Sequence, residues 1–599
     1  MKRREFLGLA ALPLAQAIDG RPIGRSGGSV VGVDGRVLRD VDLLRDWTGS
    51  LCRSRIVNRA SRPVAVKEVV LFDVELAMPS STALYGEGFQ MLTQTGGTLA
   101  APQDYSQYTD AKHYRIPEAE GARAFYGLVT LAPSGGDASV LAFTSCARFS
   151  GKFIVQGASL RAVVDCEGLS LDAGESWPLE ELMVTAGSNR AALLAAVGDR
   201  LATHHPRLAG SSAPPTGWCS WYCFGPRVTA QQVLDNLDVI AKDFPGLKYV
   251  QIDDGYQSAM GDWLDTGAAF GGSVRSVLDQ IRRRGFEPAI WVAPFVAEEQ
   301  SMVFQQHRDW FIRDGSGAPL RSDRVTFGGW RRGPWYALDG THPEVQRHFE
   351  QLFRTMREEW GCTYFKLDAN FWGAMHGGRF HDPRATRIEA YRRGMQAIVR
   401  GSRLRQGSGG QAGDAFLLGC NHPMWPSAGV VHGSRSSNDI RRTWDRVMTT
   451  ARQNLSRNWQ NGRLWWNDSD AVVLAGELTY AECMFHASAI YASGGMVLSG
   501  DDLTAIPPAR AAMLRKLLPP TGVAAEFEDQ TLSVGIVRLP TARMVCAFNW
   551  DDAPQTRMVR LGGAATVVDY WTDESVGRRE GVLSLDLPPR SARVLRVTT

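Results

Sequence analysis

The spacing of hydrophobic and polar positions changes along the chain, and the first region alternates with a period of two. From about Gly28 to His205, short apolar runs such as VKEVVLFDVEL and ASVLAFTSC are separated by turn residues. Such runs at close spacing predict β-strands of an all-β domain. A helical pattern, NRAALLAAVGDRLATHH, closes this region, and the Ser/Pro-rich segment Ser211 to Pro215 marks a boundary. We predict an N-terminal β-sandwich domain over residues 18–205.

After Pro215, strand-like runs alternate with amphipathic helical patterns. Runs such as KYVQIDD, CTYFKLDAN and RLWWNDSD end in polar residues, and patterns such as VTAQQVLDNLDVIAKDF lie between them. This alternation predicts βα units and a parallel sheet. No Gly-rich phosphate turn follows the early strands, which favours a (β/α)8 TIM barrel over a doubly wound sheet. We predict a catalytic barrel over residues 206–506, with a low-complexity flexible loop at 402–415.

From about Pro507 onward the period-two alternation returns, as in QTLSVGIVRL, ARMVCAFNW and GVLSLDL. No helix-length pattern interrupts it, so the sequence predicts a small antiparallel β-sandwich domain over residues 507–599. The predicted fold class is therefore multidomain, α/β plus all-β. A central TIM barrel is flanked by an N-terminal β-sandwich and a small C-terminal β-domain.

The first 17 residues have the pattern of an export signal. A basic start at Lys2, Arg3 and Arg4 precedes an apolar run, and Ala15-Gln16-Ala17 fits a cleavage site. The run is too short to span a bilayer, so no stable membrane insertion is expected. The arginine pair resembles a twin-arginine signal, and an ordinary secretory signal stays open as the alternative. We expect export to the periplasm or the extracellular space.

Composition excludes several classes of protein. Of the 599 residues, 44% are hydrophobic and 22% charged, the balance of a globular protein. Lysine plus arginine (66) barely exceeds aspartate plus glutamate (63) and forms no basic stripe, so no nucleic-acid partner is expected. The nine cysteines are dispersed without a C-x-x-C pair, and no His/Cys cluster suggests a metal. We therefore expect neither metal nor cofactor.

Acidic residues stand where the predicted barrel strands end. Asp253 and Asp254 end KYVQIDD, and CTYFKLDAN places Lys366 and Asp368 on one face of a strand because side chains alternate with period two. In TIM barrels the chemistry lies at these carboxyl ends. A lysine beside an aspartate favours the ionised carboxylate that a nucleophile requires. Helix caps and structural ion pairs are the alternative interpretation of these residues.

Further acids follow in the later βα units. Arg435 stands four residues before Asp439, and Asp468 and Asp470 end RLWWNDSD. Several acids at several strand ends match the paired carboxylates of glycoside cleavage. Aromatic residues, which form either sugar platforms or core, accompany them at Trp221, Tyr256, Trp263, Trp291, Trp372 and Trp465.

These segments resemble, in order, the signature segments of family-36 glycoside hydrolases, the melibiase-type retaining α-galactosidases. The matching segments are LYGEGFQ (84–90), GWCSWYCFG (217–225), YVQIDDGYQ (249–257), GDW (261–263), IWVAPFVAE (290–298), LDGTHPEV (338–345), YFKLDAN (364–370) and GSRSSND (433–439). They extend over nearly the whole chain after the signal.

The resemblance implies a role for each matched residue. Asp368 would be the nucleophile and Asp439 the general acid and base. Asp253 and Asp254 would bind the 4- and 6-hydroxyls of a galactose ring. The remaining substrate contacts implied by the family are Lys366, Arg435 near the 2-hydroxyl, Trp221 and Trp291 as pocket walls, and Trp263 and Cys420.

Three departures from the family pattern leave specificity open. The chain has Asn467-Asp468-Ser469-Asp470 where the family usually has Asn-Asp-Pro-Asp, and ANFWGAMHGG after Asp368 has no close match. Leaving-group specificity therefore stays open. Cys219 stands where many relatives have Asn, which leaves N-acetylgalactosamine or another α-glycoside as an alternative sugar.

The sequence thus predicts an exported, exo-acting, retaining α-galactosidase whose partner is an oligosaccharide or glycoside substrate. A galactosyl transferase of the raffinose-synthase type and a catalytically idle carbohydrate-binding protein are the alternatives. Relatives often oligomerise, so a homo-oligomer also stays open.

Overall fold

The computed structural model of the protein describes Ile23 and residues 26–210, 212–404, 413–528 and 530–599. The predicted signal peptide at 1–17 lies outside these ranges. Within them the chain forms two compact units. Unit 1 comprises the described residues up to Gly88, Thr95–Gln103 and Pro117–Arg200; unit 2 comprises Phe89–Gln94, Asp104–Ile116 and the described residues from Leu201 to Thr599.

Unit 1 is built from β-strands at the positions of the period-two runs. Its strands are β1 (Ser29–Gly32), β2 (Val41–Thr48), β3 (Leu51–Asn58), β4 (Val64–Glu75), β5 (Ala83–Glu87), β6 (Gln94–Gly97, whose first residue belongs to unit 2), β7 (Pro102–Asp104, whose last residue belongs to unit 2), β8 (Ala122–Tyr126), β9 (Leu128–Ala132), β10 (Ala138–Phe143), β11 (Ser150–Gln156), β12 (Ser159–Leu171), β13 (Ser176–Pro178) and β14 (Leu182–Gly187).

These strands form sheets that share a hydrophobic core. One sheet has the order β1-β4-β12-β11-β8, and the other has the order β13-β3-β14-β10-β9-β5-β6-β7 with β2 paired to β3. Phe143 of the second sheet and Phe153 of the first are fully buried, with ring centroids 5.1 Å apart. Burying large aromatic rings from both sheets in one cluster stabilises the unit.

In the described part of unit 2, eight parallel strands close into a barrel. The strands of this region are β15 (Thr216–Cys219), β16 (Tyr249–Ile252), β17 (Glu287–Val292), the short antiparallel pair β18 (Val296–Ala297) and β19 (Tyr336–Ala337), β20 (Tyr364–Leu367), β21 (Phe416–Gly419), β22 (Gly433–Arg435), β23 (Trp466–Val472) and β24 (Met496–Ser499). The barrel closes where β15 pairs with β24. The predicted (β/α)8 barrel is confirmed.

Helices follow the barrel strands. The α-helices are α1 (Arg190–His204), which precedes the barrel, and α2 (Trp221–Phe224), α3 (Ala230–Asp243), α4 (Val274–Arg283), α5 (Met302–Gln306), α6 (Pro343–Arg354), α7 (Arg387–Gly401), α8 (Trp444–Ser456), α9 (Tyr480–Ser493) and α10 (Pro508–Lys516). Capping boxes begin α3, α7 and α9 at Thr229, Thr386 and Thr479, which satisfy free N–H groups of the first turn. No helix within the described ranges is long and apolar enough to cross a membrane.

The last part of the chain is antiparallel β-structure in the same unit as the barrel. Its strands are β25 (Glu526–Phe527), β26 (Val534–Arg538), β27 (Arg543–Asn549), β28 (Gln555–Arg560), β29 (Ala565–Asp569), β30 (Ser575–Arg579), β31 (Val582–Leu587) and β32 (Ser591–Thr598). The expectation of no helix after about Pro507 is wrong, because α10 begins at Pro508. Proline fits the first turn of a helix, and the following Ala, Met, Leu, Arg and Lys residues favour helix.

One boundary differs from the sequence prediction. Segments 89–94 and 104–116 lie within the predicted N-terminal β-domain, yet they fold in unit 2 with the barrel. Asp110 holds the two segments together because its carboxylate accepts hydrogen bonds from the backbone N–H groups of Phe89 (2.5 Å) and Gln90 (3.2 Å).

Candidate active site at the carboxyl end of the barrel

A cavity of about 440 Å³ opens where the barrel strands end. Asp253 directly follows β16, Asp368 directly follows β20, and Asn421 lies two residues after β21. The cavity is lined by Leu92, Tyr108, His113, Tyr114, Trp221, Asp253, Asp254, Trp291, Phe327, Trp330, Lys366, Asp368, Asn421, Asn438, Asp439, Arg441 and Arg446.

Most of the predicted site residues line this cavity. They are Trp221, Asp253, Asp254, Trp291, Lys366, Asp368 and Asp439. The other predicted residues, Trp263, Cys420 and Arg435, are buried and lie outside the lining. The ring of Trp263 packs edge-on against that of Trp291, with centroids 5.6 Å apart. The predicted substrate contacts of Trp263, Cys420 and Arg435 stay a prediction.

Asp368 is held by nitrogen donors. Its Oδ2 accepts a hydrogen bond from Trp291 Nε1 at 3.0 Å, and its Oδ1 accepts from Asn421 Nδ2 at 2.7 Å and from the backbone N–H of Ala369 at 2.6 Å. Ala369 has φ +52°, a left-handed conformation that ends β20 sharply and turns its N–H back to the carboxylate. These bonds fix the orientation of the carboxylate and leave its remaining lone pairs to the cavity.

Lys366 lies beside a different carboxylate from the expected one. Its Nζ is 2.8 Å from Oδ2 of Asp253, and both side chains are almost completely buried. The same Oδ2 accepts hydrogen bonds from Gln251 Nε2 (2.6 Å) and Cys219 Sγ (3.3 Å). Burial acts most strongly and lowers the pKa of Lys366, but Asp253 together with Cys219 and Cys420 holds that pKa well above its usual value. The expected pairing of Lys366 with Asp368 is wrong, because the partner comes from a strand on the other side of β17.

Asp254 combines burial with an acceptor atom left free. Its Oδ1 accepts from Gln257 Nε2 at 2.6 Å and lies 3.0 Å from Nη2 of Arg331. Its Oδ2 is buried and has no hydrogen-bond partner among the described residues. Burial raises the pKa of Asp254 to about 6, although Arg331 and Gln257 lower it. A buried acceptor at a cavity wall is satisfied when a ligand hydroxyl donates to it.

Arg435 organises a cluster of carboxylates. Its guanidinium lies 3.0 Å from Asp439, 3.1 Å from Asp468 and 2.9 Å from Asp470. Burial acts to lower the pKa of Arg435, and the surrounding carboxylates hold it well above its usual value. Asp468 and Asp470 are buried behind the cavity wall, whereas the side chain of Asp439 is 53% exposed. Of the cluster, Asp439 is thus the carboxylate presented to the cavity.

An aromatic wall completes the cavity, and the sequence patterns did not predict it. Its members come from segment 104–116 and from the loop before β19: Tyr108, His113, Tyr114, Phe327 and Trp330. The rings of His113 and Phe327 stack at 3.8 Å. Segment 104–116 is far from the barrel in sequence and lies amid period-two runs, so no local pattern indicated its position.

Asn421 and Asn438 were also missed. The rule that polar residues follow barrel strands applies to Asn421, which ends the run AFLLGCN. The same rule could have found it. Asn438 precedes Asp439, and its Oδ1 accepts a hydrogen bond from the backbone N–H of Asp439 at 2.8 Å.

The described residues hold no group of three or more His, Cys, Asp or Glu side chains arranged to bind a metal. The site's carboxylates instead contact nitrogen donors of Lys, Arg, Trp, Asn and the backbone.

Part of the barrel matches a known family. Residues 231–398 match the family model described as Melibiase. Over 154 residues the chain is 30% identical to the myogenesis-regulating glycosidase of Mus musculus. This alignment covers 25% of this chain and 20% of that protein. Over 84 residues it is 31% identical to the bifunctional α-galactosidase/sucrose kinase AgaSK of Mediterraneibacter gnavus, covering 13% of this chain and 9% of that one. The chain thus spans a fifth or less of these curated relatives.

Solved structures resemble the fold over a larger part of the chain. The galactosidase domain of AgaSK aligns with a TM-score of 0.65 at 16% identity, covering 93% of this chain and 80% of that domain. The α-galactosidase TtGalA of Thermus thermophilus, solved with p-nitrophenyl α-D-galactopyranoside, aligns with a TM-score of 0.59 at 23% identity. The alignment covers 84% of this chain and 98% of that chain. At these identities the likeness shows the fold.

The closed barrel carries acids at its strand ends, and its residues 231–398 match the Melibiase family model. The resemblance to family-36 glycoside hydrolases drawn from the sequence motifs is supported over this region by the Melibiase match.

Proposed function

We propose that the protein is a retaining, exo-acting α-galactosidase that hydrolyses terminal α-D-galactosyl residues by double displacement. The observation that carries this proposal is the pair Asp368 and Asp439, which line one cavity in different surroundings. Asp368 is buried and fixed by N–H donors, as suits a nucleophile. Asp439 is half-exposed and anchored by Arg435, as suits a group that exchanges protons with the leaving group and water.

In the first step a carboxylate oxygen of Asp368 attacks C1 of the galactosyl ring. The C1–O bond to the leaving group breaks, and the leaving oxygen takes the proton of Asp439. A β-linked galactosyl ester of Asp368 results. In the second step Asp439 removes a proton from water, the water oxygen attacks C1, and the bond to Asp368 breaks. Two inversions give net retention.

Sugar recognition would rest on the acids after β16. The free Oδ2 of Asp254 is an acceptor for a ring hydroxyl, and Asp253 is kept in place by Lys366. Trp221 and Trp291 offer apolar faces to the C–H groups of the sugar. The similar fold of the Thermus thermophilus enzyme, which binds p-nitrophenyl α-D-galactopyranoside, supports an α-galactoside as the substrate.

The test is Asp368→Ala with an aryl α-galactoside. Hydrolysis should fall by several orders of magnitude, because no covalent intermediate can form, and external azide should restore turnover with a β-galactosyl azide product. Asp235→Ala, on the exposed face of α3, is the matched control and should behave as the wild type. Near-normal hydrolysis by Asp368→Ala would contradict the proposal. Hydrolysis rates on a panel of aryl α-glycosides of galactose, N-acetylgalactosamine, glucose and arabinose then identify the sugar that the protein prefers.

A transferase of the raffinose-synthase type is a second candidate. The aromatic wall with Phe327 and Trp330 would suit an acceptor sugar as well as a leaving group, since sugar rings stack on aromatic faces. With excess sucrose, hydrolysis should still dominate the products if the protein is a hydrolase. Dominant galactosyl transfer would favour the second candidate. A carbohydrate-binding protein without activity would bind glycans and turn none over.

We further propose that residues 1–17 direct export through the twin-arginine pathway. The support is the sequence alone, with Arg3-Arg4 before the apolar run. Changing both arginines to lysine should leave the protein in the cytoplasm when cell fractions are compared. Unchanged export would instead favour an ordinary secretory signal.

A further inference from the structure

The charges of the cavity are distributed unevenly between its two sides. On the side of β16 and β20, Asp253 is paired with Lys366 and Asp254 with Arg331, and Asp368 has N–H donors only. On the side of Asp439, the lining includes Arg441 and Arg446.

Neither arginine has a side-chain partner in the part of the chain that the structure describes. Asp439, the nearest acid in the sequence to Arg441, is 3.0 Å from Arg435 instead. Arg441 is exposed and Arg446 half-buried, and both reach the cavity. Arginine side chains left unpaired at a cavity wall offer planar N–H donors that match carboxylate, sulfate or phosphate oxygens in two parallel hydrogen bonds.

Arg446 stands at a position where its charge does not stabilise the helix. It lies in the first turn of α8, where the N–H dipoles repel a cation and favour an acid. The same dipoles favour an anion bound beside Arg446. An anion there would therefore remove an unfavourable charge interaction as well as gain hydrogen bonds.

The proposed function determines which part of a substrate reaches these arginines. Asp439 must contact the oxygen of the leaving group, so the leaving group lies on the side of Arg441, two residues further along the chain. An anionic group on the galactosyl ring itself is disfavoured, because Asp253, Asp254 and Asp368 surround the ring position.

Resting on that function, we propose that Arg441 and Arg446 form a leaving-group subsite that selects α-galactosides with an anionic aglycone. The aglycone would carry a carboxylate, sulfate or phosphate, and Trp330 and Tyr108 of the aromatic wall would pack against its apolar part. The galactosyl ring remains neutral.

The experiment compares two substrates that differ in one charge, 4-carboxyphenyl and 4-carbamoylphenyl α-galactoside. The measured quantity is kcat/KM for the carboxyphenyl substrate divided by kcat/KM for the carbamoylphenyl substrate. Comparing this ratio between proteins cancels the difference in intrinsic leaving-group ability. In the double variant Arg441→Gln/Arg446→Gln, the ratio should fall about tenfold relative to the wild type at low salt. In the wild type the ratio should also fall as salt is raised, because screening weakens the ion pairs.

The control is Arg560→Gln/Arg578→Gln, which removes the same charge from exposed positions on β28 and β30 and should keep the wild-type ratio. If both substrates are hydrolysed with a ratio independent of Arg441 and Arg446, the subsite is refuted and the hydrolase proposal stands. If the wild type hydrolyses neither substrate, the hydrolase proposal fails and the subsite fails with it.

Discussion

Each carboxylate that lines the cavity has a different kind of partner. Asp368 is held by indole, amide and backbone N–H groups, Asp253 by an ammonium group and Asp254 by a guanidinium group. Asp439 contacts the guanidinium of Arg435, which also contacts two buried acids, and it remains half-exposed. Burying a carboxylate is costly unless it is paired or hydrogen-bonded, and these partners hold chemically identical groups in different surroundings and orientations.

Arg331 is predicted to set the acid limit of activity through Asp254. Burial raises the pKa of Asp254 to about 6, and the guanidinium of Arg331 partly offsets this. Activity that needs ionised Asp254 is lost as the pH falls through this value. Replacing Arg331 by Leu removes a group that lowers the pKa, so the acid limb of the kcat/KM profile should move to higher pH.

Arg332→Leu is the matched control, since Arg332 is exposed on the same loop and has no partner among the described residues. Its pH profile should match that of the wild type. An acid limb in Arg331→Leu at the wild-type position would show that Asp254 does not control activity on the acid side.

At the level of single residues the sequence predicted which groups meet but not how they pair. Strand-end position alone located Asp253, Asp254 and Asp368. Period two correctly directed Lys366 into the barrel, but its partner lies two strands away in the barrel order, at Asp253. The alternation of residues within one strand does not reveal its register against the neighbouring strands, so it could not predict which carboxylate lies beside Lys366.

Among the elements, segments 89–94 and 104–116 matter because they carry the aromatic wall. Asp110 holds them by accepting hydrogen bonds from the backbone of Phe89 and Gln90 and from the hydroxyl of Thr93 at 3.1 Å. Burial raises the pKa of Asp110 to about 6, and these donors lower it. A carboxylate with several donors fixes a loop more firmly than packing alone.

Asp110→Ala should therefore weaken both folding and binding. Buried N–H groups left without an acceptor cost about 1–3 kcal/mol each. We expect a lower Tm in thermal unfolding and a higher KM, because Tyr108, His113 and Tyr114 lose their fixed position. Lys112→Ala, an exposed position in the same segment, should change neither. An unchanged KM in Asp110→Ala would mean that the aromatic wall does not contact substrate.

Helix α9 connects the barrel to the C-terminal strands. Phe485 on this helix packs against Phe548 and Trp550, with ring centroids 5.2 and 4.9 Å away, and against Trp444 of α8 at 5.0 Å. Trp571 donates from Nε1 to Ser488 Oγ at 2.8 Å. The C-terminal sheet thus covers a helix of the barrel and stabilises it.

Phe485→Ala should lower the free energy of unfolding by about 3–5 kcal/mol, the usual cost of a large aromatic cavity in a core. Denaturant unfolding of the full chain, followed by tryptophan fluorescence, measures it. Tyr480→Ala, on the same helix with Tyr480 51% exposed, should cost far less. Equal losses in the two variants would show that α9 is not stabilised by the C-terminal strands.

For the whole molecule, the regular alternation of strands and helices was sufficient to predict the barrel. Parallel barrel strands are short apolar runs, and most of them are followed by a helix of recognisable period. The positions of segments 89–94 and 104–116 could not be predicted, because they depend on contacts such as Asp110 with Phe89 rather than on periodicity. Helix α10 was missed because its nine residues, which follow Pro507 and begin with Pro508, present too short a pattern.

The configuration of the anomeric carbon in the product reports on the proposed mechanism as a whole. Asp368 and Asp439 are assigned as nucleophile and proton carrier, and a double displacement follows from that assignment. The substrate enters with an α-linkage and should leave as the α-anomer of galactose before mutarotation.

The most direct test is proton NMR of the first product released from an aryl α-galactoside by the wild-type protein. We predict that α-galactose appears first and that the β-anomer grows only at the rate of mutarotation. β-Galactose as the first product would contradict the mechanism, because a single displacement by water would then leave no role for a covalent intermediate on Asp368.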